Sequence, residues 1–86
     1  MRTVDEYMKL PYKMEITPDI DAGGFVVSYP DLPGCLTVGD TIEEAIKNAE
    51  DAKRAWLEAA IEDKVKINEP DDLENYLLAK NDASFM

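Results

Sequence analysis

The strongest constraint in this chain is one long amphipathic helix signal that follows three short alternating segments punctuated by glycine and proline. Thr41-Ile42-Glu43-Glu44 is a capping-box pattern. In such a box the threonine side chain accepts from the amide three residues on, and the glutamate reaches back. Behind it Ile42, Ala45, Ile46, Ala49, Ala52, Lys53, Trp56, Ala60 and Ile61 recur at three- and four-residue spacing, which places them on one stripe of a helix. The opposite face carries Glu43, Glu44, Lys47, Glu50, Asp51, Arg54 and Glu58, with Glu43–Lys47 and Glu50–Arg54 at pairing distance along the helix. The helix is predicted from about residue 42 to about residue 62. So one-sided a stripe needs an apolar surface to lie on.

The segments before it supply that surface. Residues 12–17 alternate, with Tyr12, Met14 and Ile16 on one side and Lys13, Glu15 and Thr17 on the other, as in a half-buried strand closed by Pro18. Residues 19–24 are turn chemistry, because aspartates bond locally and the paired glycines permit positive φ. Residues 25–29 form a second strand ended by Pro30, Asp31-Leu32-Pro33-Gly34 is a second turn, and residues 35–38 form a third strand. Residues 65–67 can add a short strand at a sheet edge. Residues 3–9 read as a helical turn or two, capped by Thr3 with Glu6 and ended by Pro11. The predicted fold class is α+β: a three-stranded antiparallel sheet covered by one long helix, β-β-β-α with an optional fourth strand and a short N-terminal helix. The domain division is an N-terminal extension over 1–10, the α+β domain over 11–67, an acidic linker over 68–75 and a short tail over 76–86.

The 86 residues hold nine basic and nineteen acidic side chains, a net charge of −10. Such a field repels nucleic-acid phosphates and anionic membranes and attracts a basic partner. The acidity is not a tail effect, since residues 1–40 and residues 41–63 each carry three basic and seven acidic groups. The chain has no histidine, which removes the commonest general base and metal ligand. One cysteine, Cys35, permits no internal disulfide, and no apolar run reaches a membrane span. Residues 1–10 carry Asp5 and Glu6 and lack the apolar centre of a signal peptide, so the expected location is cytoplasmic.

Candidate chemistry is sparse. Counted from Asp19, a calcium loop finds Gly24 at its sixth position but Pro30 where the bidentate glutamate is required, so the match fails. A metal-dependent nuclease is the enzymatic alternative, with Glu15, Asp19, Asp21 and Asp31 as ligands, but nothing in the spacing makes them converge. Cys35 has no imidazole and no basic neighbour in sequence, so it reads as a small buried side chain. Trp56, on the apolar stripe, reads as a core anchor first and an interface residue second. The glycines match neither phosphate-binding spacing. No catalytic residue, metal or cofactor is expected.

The run Gly24-Phe25-Val26-Val27-Ser28-Tyr29-Pro30-Asp31-Leu32-Pro33-Gly34-Cys35 resembles the signature stretch of HicB-type antitoxins. Gly39-Asp40-Thr41-Ile42-Glu43-Glu44-Ala45 is similar to the family's helix start, and the resemblance covers about residues 9–70, from Lys9-Leu10-Pro11-Tyr12 through Trp56. It implies a partial RNase H-like fold without the catalytic carboxylates. It implies a role in a bacterial type II toxin–antitoxin pair, in which the chain covers a HicA-type toxin, a small basic ribonuclease that cuts mRNA. Family members usually continue into a DNA-binding domain that represses their own operon. Here only about twenty residues follow the α+β domain, too few for a ribbon-helix-helix or helix-turn-helix domain, although Tyr76-Leu77-Leu78-Ala79-Lys80-Asn81 resembles the last turns of a ribbon-helix-helix domain joined straight onto the linker; operator binding is the third reading, and this chain, at a net charge of −10, is expected to fail at it.

Charge, missing catalytic groups and resemblance together point to an antitoxin that occludes a basic HicA-type toxin. A homodimer or higher homo-oligomer is expected, because a small sheet leaves edges with unpaired backbone groups. The toxin-binding surface is expected to include Asp19, Asp21, Tyr29, Asp31 and Leu32, on the sheet face opposite the helix and its rim. Lys13, Glu15, Val26 and Ser28 are expected to lie on that open face.

Overall fold

A computed structural model describes residues 2–70 of the chain. Helix α1 spans Val4–Met8, strands β1, β2 and β3 span Glu15–Pro18, Phe25–Ser28 and Leu36–Gly39, and helix α2 spans Ile42–Glu62. The strands form one antiparallel sheet in the order β1-β2-β3. The predicted α+β order is thus observed.

Register sorts the side chains. Ile16 pairs with Val27 and Val27 with Thr37, while Glu15 pairs with Ser28 and Ser28 with Leu36. Directly paired residues share a face. Phe25 and Val27 therefore face α2, and Glu15, Thr17, Val26, Ser28, Leu36 and Val38 form the open face, as the alternation predicted for Glu15, Val26 and Ser28. Helix α2 packs on β3 and β2 and against α1, but has no comparable contact with β1 among the described residues. This is why Ile16, on the helix side, remains exposed.

Three local expectations differ from the structure. Strand β1 begins at Glu15 and includes Pro18, which pairs with Phe25. Proline is tolerated there because β1 is an edge and the missing N–H falls on its outer row. Residues 65–67 join no strand; Ile67 is instead buried, and Tyr12 Oη donates to the Asn68 carbonyl at 2.6 Å. Arg54 reaches Asp5 of α1 at 3.1 Å rather than Glu50, so this ion pair joins the two helices. The expected tail over 76–86, and the linker beyond residue 70, lie outside the described residues.

Both helix starts follow their capping patterns. At α1 the box is reciprocal: Thr3 Oγ1 accepts from the Glu6 amide at 3.2 Å and Glu6 accepts from the Thr3 amide at 2.9 Å. Those bonds hold the Glu6 carboxyl below its ordinary pKa. At α2 the expected box is one-sided, with Thr41 Oγ1 accepting from the Glu44 amide at 3.1 Å. The helix ends in a Schellman turn, Val65 N–H to the Ala60 carbonyl at 2.8 Å and Lys64 N–H to that of Ile61 at 3.2 Å, with Lys64 left-handed at φ 58°.

The core gathers Val27, Tyr29, Leu32, Cys35, Ala45, Ala49, Leu57 and Ala60, with Tyr7, Tyr12 and Ile67 at its margin. The buried residues of α2 are Ala45, Ala49, Lys53, Leu57 and Ala60. Leu57 is fully enclosed, whereas Ile42, expected on the stripe, is 47% exposed. Lys53 is only 8% exposed. Its stem is buried with the core and its ammonium sits 4.9 Å from the Tyr29 ring centroid, a cation–π contact. Burial holds the Lys53 pKa below its ordinary value. The adjacent Cys35 thiol is raised by burial, with Lys53 opposing the shift.

Replacing Leu57 by alanine removes a side chain with no exit to solvent. The expected cost is about 2–5 kcal/mol, or a drop of about 10 °C or more in a thermal melt. Ile42→Ala, on an exposed first turn, is expected to shift the melt far less; equal losses would contradict this packing.

Burial pushes the hydroxyls of Tyr12 and Tyr29 up to about 12. A group whose folded pKa is raised contributes stability that is complete below its unfolded pKa and is lost as pH rises through the folded one. Stability should therefore fall between about pH 10 and 12, and ultraviolet titration should show two tyrosines ionising late, together with unfolding. Ionisation of every tyrosine near pH 10 with the fold intact would contradict the placement.

Candidate protein-interaction site

The chain builds its most polarised surface where three elements meet. Strand β1 runs into the 19–24 turn, β2 returns from it, and β3 runs back to the same end before α2 starts. The turn is closed by Asp19 N–H to the Gly24 carbonyl at 3.0 Å and Gly23 N–H to the Asp19 carbonyl at 2.8 Å. Asp19 Oδ1 accepts from the Ala22 amide at 3.0 Å, so one of its oxygens is committed to the turn. Asp21 and Ile20 project from the tip, Ile20 being 92% exposed.

This turn packs directly on the start of α2. Phe25 pairs with Gly39. Gly24, at φ +78°, is so close to β3 that a Cβ there would lie 2.5 Å from the Gly39 carbonyl oxygen and 3.3 Å from the Asp40 Cα. Only glycine meets both demands without strain. The contact brings Asp19 and Asp21 to the same end as Asp40, Glu43 and Glu44. Segments 18–25 and 39–45 together contain these five carboxylates and no basic residue. Within this end lies an open cleft of about 510 Å³ lined by Phe25, Asp40, Thr41, Ile42 and Glu43. A half-exposed isoleucine and a partly buried phenylalanine thus sit inside an acidic surround. Apolar anchors with a polar rim are a usual composition for protein interfaces.

The five residues expected to bind a partner do not form one surface. Asp19 and Asp21 belong to the acidic end. Tyr29, Asp31 and Leu32 lie at the opposite end of β2. Tyr29 and Leu32 are buried. Two successive turns, Leu32 N–H to the Tyr29 carbonyl and Cys35 N–H to the Leu32 carbonyl, both 2.9 Å, turn Leu32 into the core. Trp56 Nε1 donates to the Pro33 carbonyl at 2.8 Å and Asn68 Nδ2 to that of Asp31 at 3.0 Å, so this loop is held from two sides. Trp56 is half-buried, a brace as much as a core anchor. Asp31 Oδ2 is buried with no hydrogen-bond partner among the described residues.

The carboxylates of the nuclease alternative are dispersed in the same way. Glu15 lies on the open face, Asp19 and Asp21 at one end and Asp31 at the other. Among the described residues no group of three or more His, Cys, Asp or Glu side chains is gathered closely enough to hold a metal ion. Asp40, Glu43 and Ile42 were missing from the expected site, because the signal that joins them to Asp19 is the Gly24–Gly39 contact and not any spacing along the chain. No helix among the described residues is long and apolar enough to cross a membrane.

Comparison with known proteins gives this geometry a context. The family described as HicB-like antitoxin of bacterial toxin–antitoxin systems matches residues 12–85. Antitoxin HicB 1 of Photorhabdus laumondii is 41% identical over 69 residues, 80% of this chain and 43% of that protein. Antitoxin HicB of Escherichia coli is 35% identical over 65 residues, 76% of this chain and 46% of that one. A 14.9 kDa protein from a Haemophilus phage is 41% identical over 54 residues, 63% of this chain and 41% of the phage protein. The chain thus spans under half the length of these three relatives.

Gly24→Ala should cost more than Gly23→Ala. Both glycines are left-handed, but a Cβ at Gly23 meets nothing within 4 Å. Gly23→Ala should therefore cost only the conformational penalty of roughly 1–2 kcal/mol. Gly24→Ala adds a collision with backbone, and its loss in denaturant unfolding should be clearly larger. Equal losses would mean that the turn does not rest on the start of α2.

Proposed function

Because this chain belongs to the HicB-like antitoxin family of bacterial toxin–antitoxin systems, we propose that it acts without catalysis of its own, by binding and covering a small basic mRNA-cleaving toxin of the HicA type. The acidic end carries this reading: Asp40 and Glu43 line a cleft with Phe25 and Ile42, and the segments that meet there, 18–25 and 39–45, hold five carboxylates and no basic residue. A ribonuclease must present positive charge where it holds RNA phosphates. An acidic surface that fits there competes with RNA for the same groups, so one contact binds the toxin and blocks it.

Complementary charge of this kind accelerates encounter, and desolvated apolar contacts hold the complex. Asp21, Asp40 and Glu43 are placed to steer, and Ile20 and Ile42 to supply the apolar contact. A net charge of −10 does not favour operator DNA as the ligand of these residues.

The test is association kinetics with the co-expressed toxin over a salt series. Asp21→Lys and Glu43→Lys should each slow association by roughly tenfold and flatten its salt dependence, while surface substitutions of this kind move stability by no more than about 0.5 kcal/mol. Asp31→Lys, at the other end of the sheet, should change the rate little. The reverse pattern would move docking to the Asp31 loop. Absence of any complex at moderate salt would sink the antitoxin reading itself.

A further inference from the structure

The cleft at the start of α2 has an apolar floor and an anionic rim, and together they restrict what can sit in it. Phe25 is partly buried and Ile42 is 47% exposed, and both line the cleft with Asp40, Thr41 and Glu43. Ile42 stands open because the inward row of α2 begins three residues later, at Ala45. The rim is uncommitted. The Asp40 and Glu43 carboxylates accept no hydrogen bond among the described residues, whereas Asp19, at the same end, is held by the Ala22 amide. The ion pairs among the described residues are Arg2–Glu69 and Arg54–Asp5, so Lys47, one turn on from Glu43, does not neutralise it. Thr41 Oγ1 is already engaged by the Glu44 amide.

We propose that this cleft receives one arginine side chain of a basic partner protein, with its guanidinium between Asp40 and Glu43 over the Phe25 ring and its aliphatic stem along Ile42. The inference rests on the reading that the acidic end meets a basic protein, and it names the side chain taken there. Charge complementarity sets the sign of the occupant. The segments that meet at the cleft hold five carboxylates and no basic residue, so an acidic group is repelled. The apolar floor then selects among cations. A lysine ammonium is compact and strongly hydrated, so it keeps its water and meets one carboxylate at a time. A guanidinium is planar and weakly hydrated, and it stacks on an aromatic face. Its five N–H donors form a fixed fork, which can bond carboxylates on both sides of Thr41 and Ile42 at once. A metal ion is a poor alternative, because among the described residues no third acidic, cysteine or histidine ligand joins such a pair.

The contact is modest by itself, because the cleft is open and its carboxylates are exposed. An isolated arginine side chain should dissociate on the order of 10 mM. In a protein complex it acts as one anchor among the contacts around it.

Nuclear magnetic resonance titration of the full chain with three small probes tests the assignment. The probes are the N-acetyl amides of arginine, lysine and citrulline, the last having arginine's shape without its charge. The arginine probe should shift the Phe25 ring, the Ile42 methyls and the amides of residues 40–43 saturably. Lysine should bind about threefold more weakly and citrulline at least about tenfold more weakly. Asp40→Asn and Glu43→Gln should each weaken arginine binding about threefold, and Glu58→Gln, far along α2, should not. All three side chains are exposed, so thermal melts should stay in place. Citrulline or lysine binding as well as arginine would overturn the proposal. So would shifts as large around Glu58 as at the cleft, which would reduce the effect to general charge screening. If arginine leaves the cleft signals unmoved while Asp21→Lys and Glu43→Lys still slow toxin association, this inference falls and occlusion through the acidic end stands. If arginine seats as described and no toxin complex forms, the arginine site stands and the occlusion reading falls.

Discussion

Gly39 meets the first turn of α2 so closely that a Cβ at that position would collide with the backbone of Ala45, and much of the structure depends on this contact. It lets β3 pass into α2 across Asp40 and Thr41 alone, so the helix folds straight back over β3 and β2. It fixes which residues of α2 face inward, starting with Ala45 and continuing at four-residue steps through Ala49, Lys53 and Leu57. Gly24 repeats the device one strand away, where the hairpin turn rests on the Gly39 carbonyl. Two close backbone approaches thus hold a turn, a strand end and a helix start as one unit, and the carboxylates on that unit are gathered as a consequence.

The opposite end of the sheet is secured by side chains. The loop after β2 is turned inward by its own hydrogen bonds, gripped by the Trp56 indole at Pro33 and by Asn68 at Asp31. Leu32 fills the core below it. Tyr29 lies beneath the Lys53 ammonium, where a cation in a largely apolar setting finds a π face and the aliphatic stem completes the core. The Pro-Asp-Leu-Pro-Gly-Cys run that carries the family resemblance is therefore a structural closure in this molecule. Its turn residues, Pro33 and Gly34 among them, stay at the surface while the two turns carry Leu32 and Cys35 inward.

Local patterns revealed the elements and missed how they meet. The helix bounds, both cap residues, the strand order and the inward face of Lys53 were legible, because period and capping are properties of neighbouring residues. Ile42 was misplaced because a first-turn residue can project past the sheet it continues from. Leu57 was overlooked although it follows Lys53 by four, since Trp56 beside it had already claimed that turn. Leu32 was expected at the surface because turn signals read as exposed, and Tyr29 because it adjoins that turn, although it continues the inward row of Phe25 and Val27. Two consecutive turns reverse that, and only hydrogen bonds across the loop reveal it. Asp40 and Glu43 could not be joined to Asp19 and Asp21 without the sheet between them.

Charge is distributed over this small fold in a way that separates two kinds of contact. The acidic end gathers carboxylates beside a cleft and favours a surface of opposite sign. Along β3, by contrast, residues 32–39 carry no charged side chain, and Leu36 and Val38 are exposed. The two do not share a place on the domain: the edge runs along the sheet, and the cleft lies beyond its end at the start of α2, so a body seated at the acidic end leaves the β3 edge open.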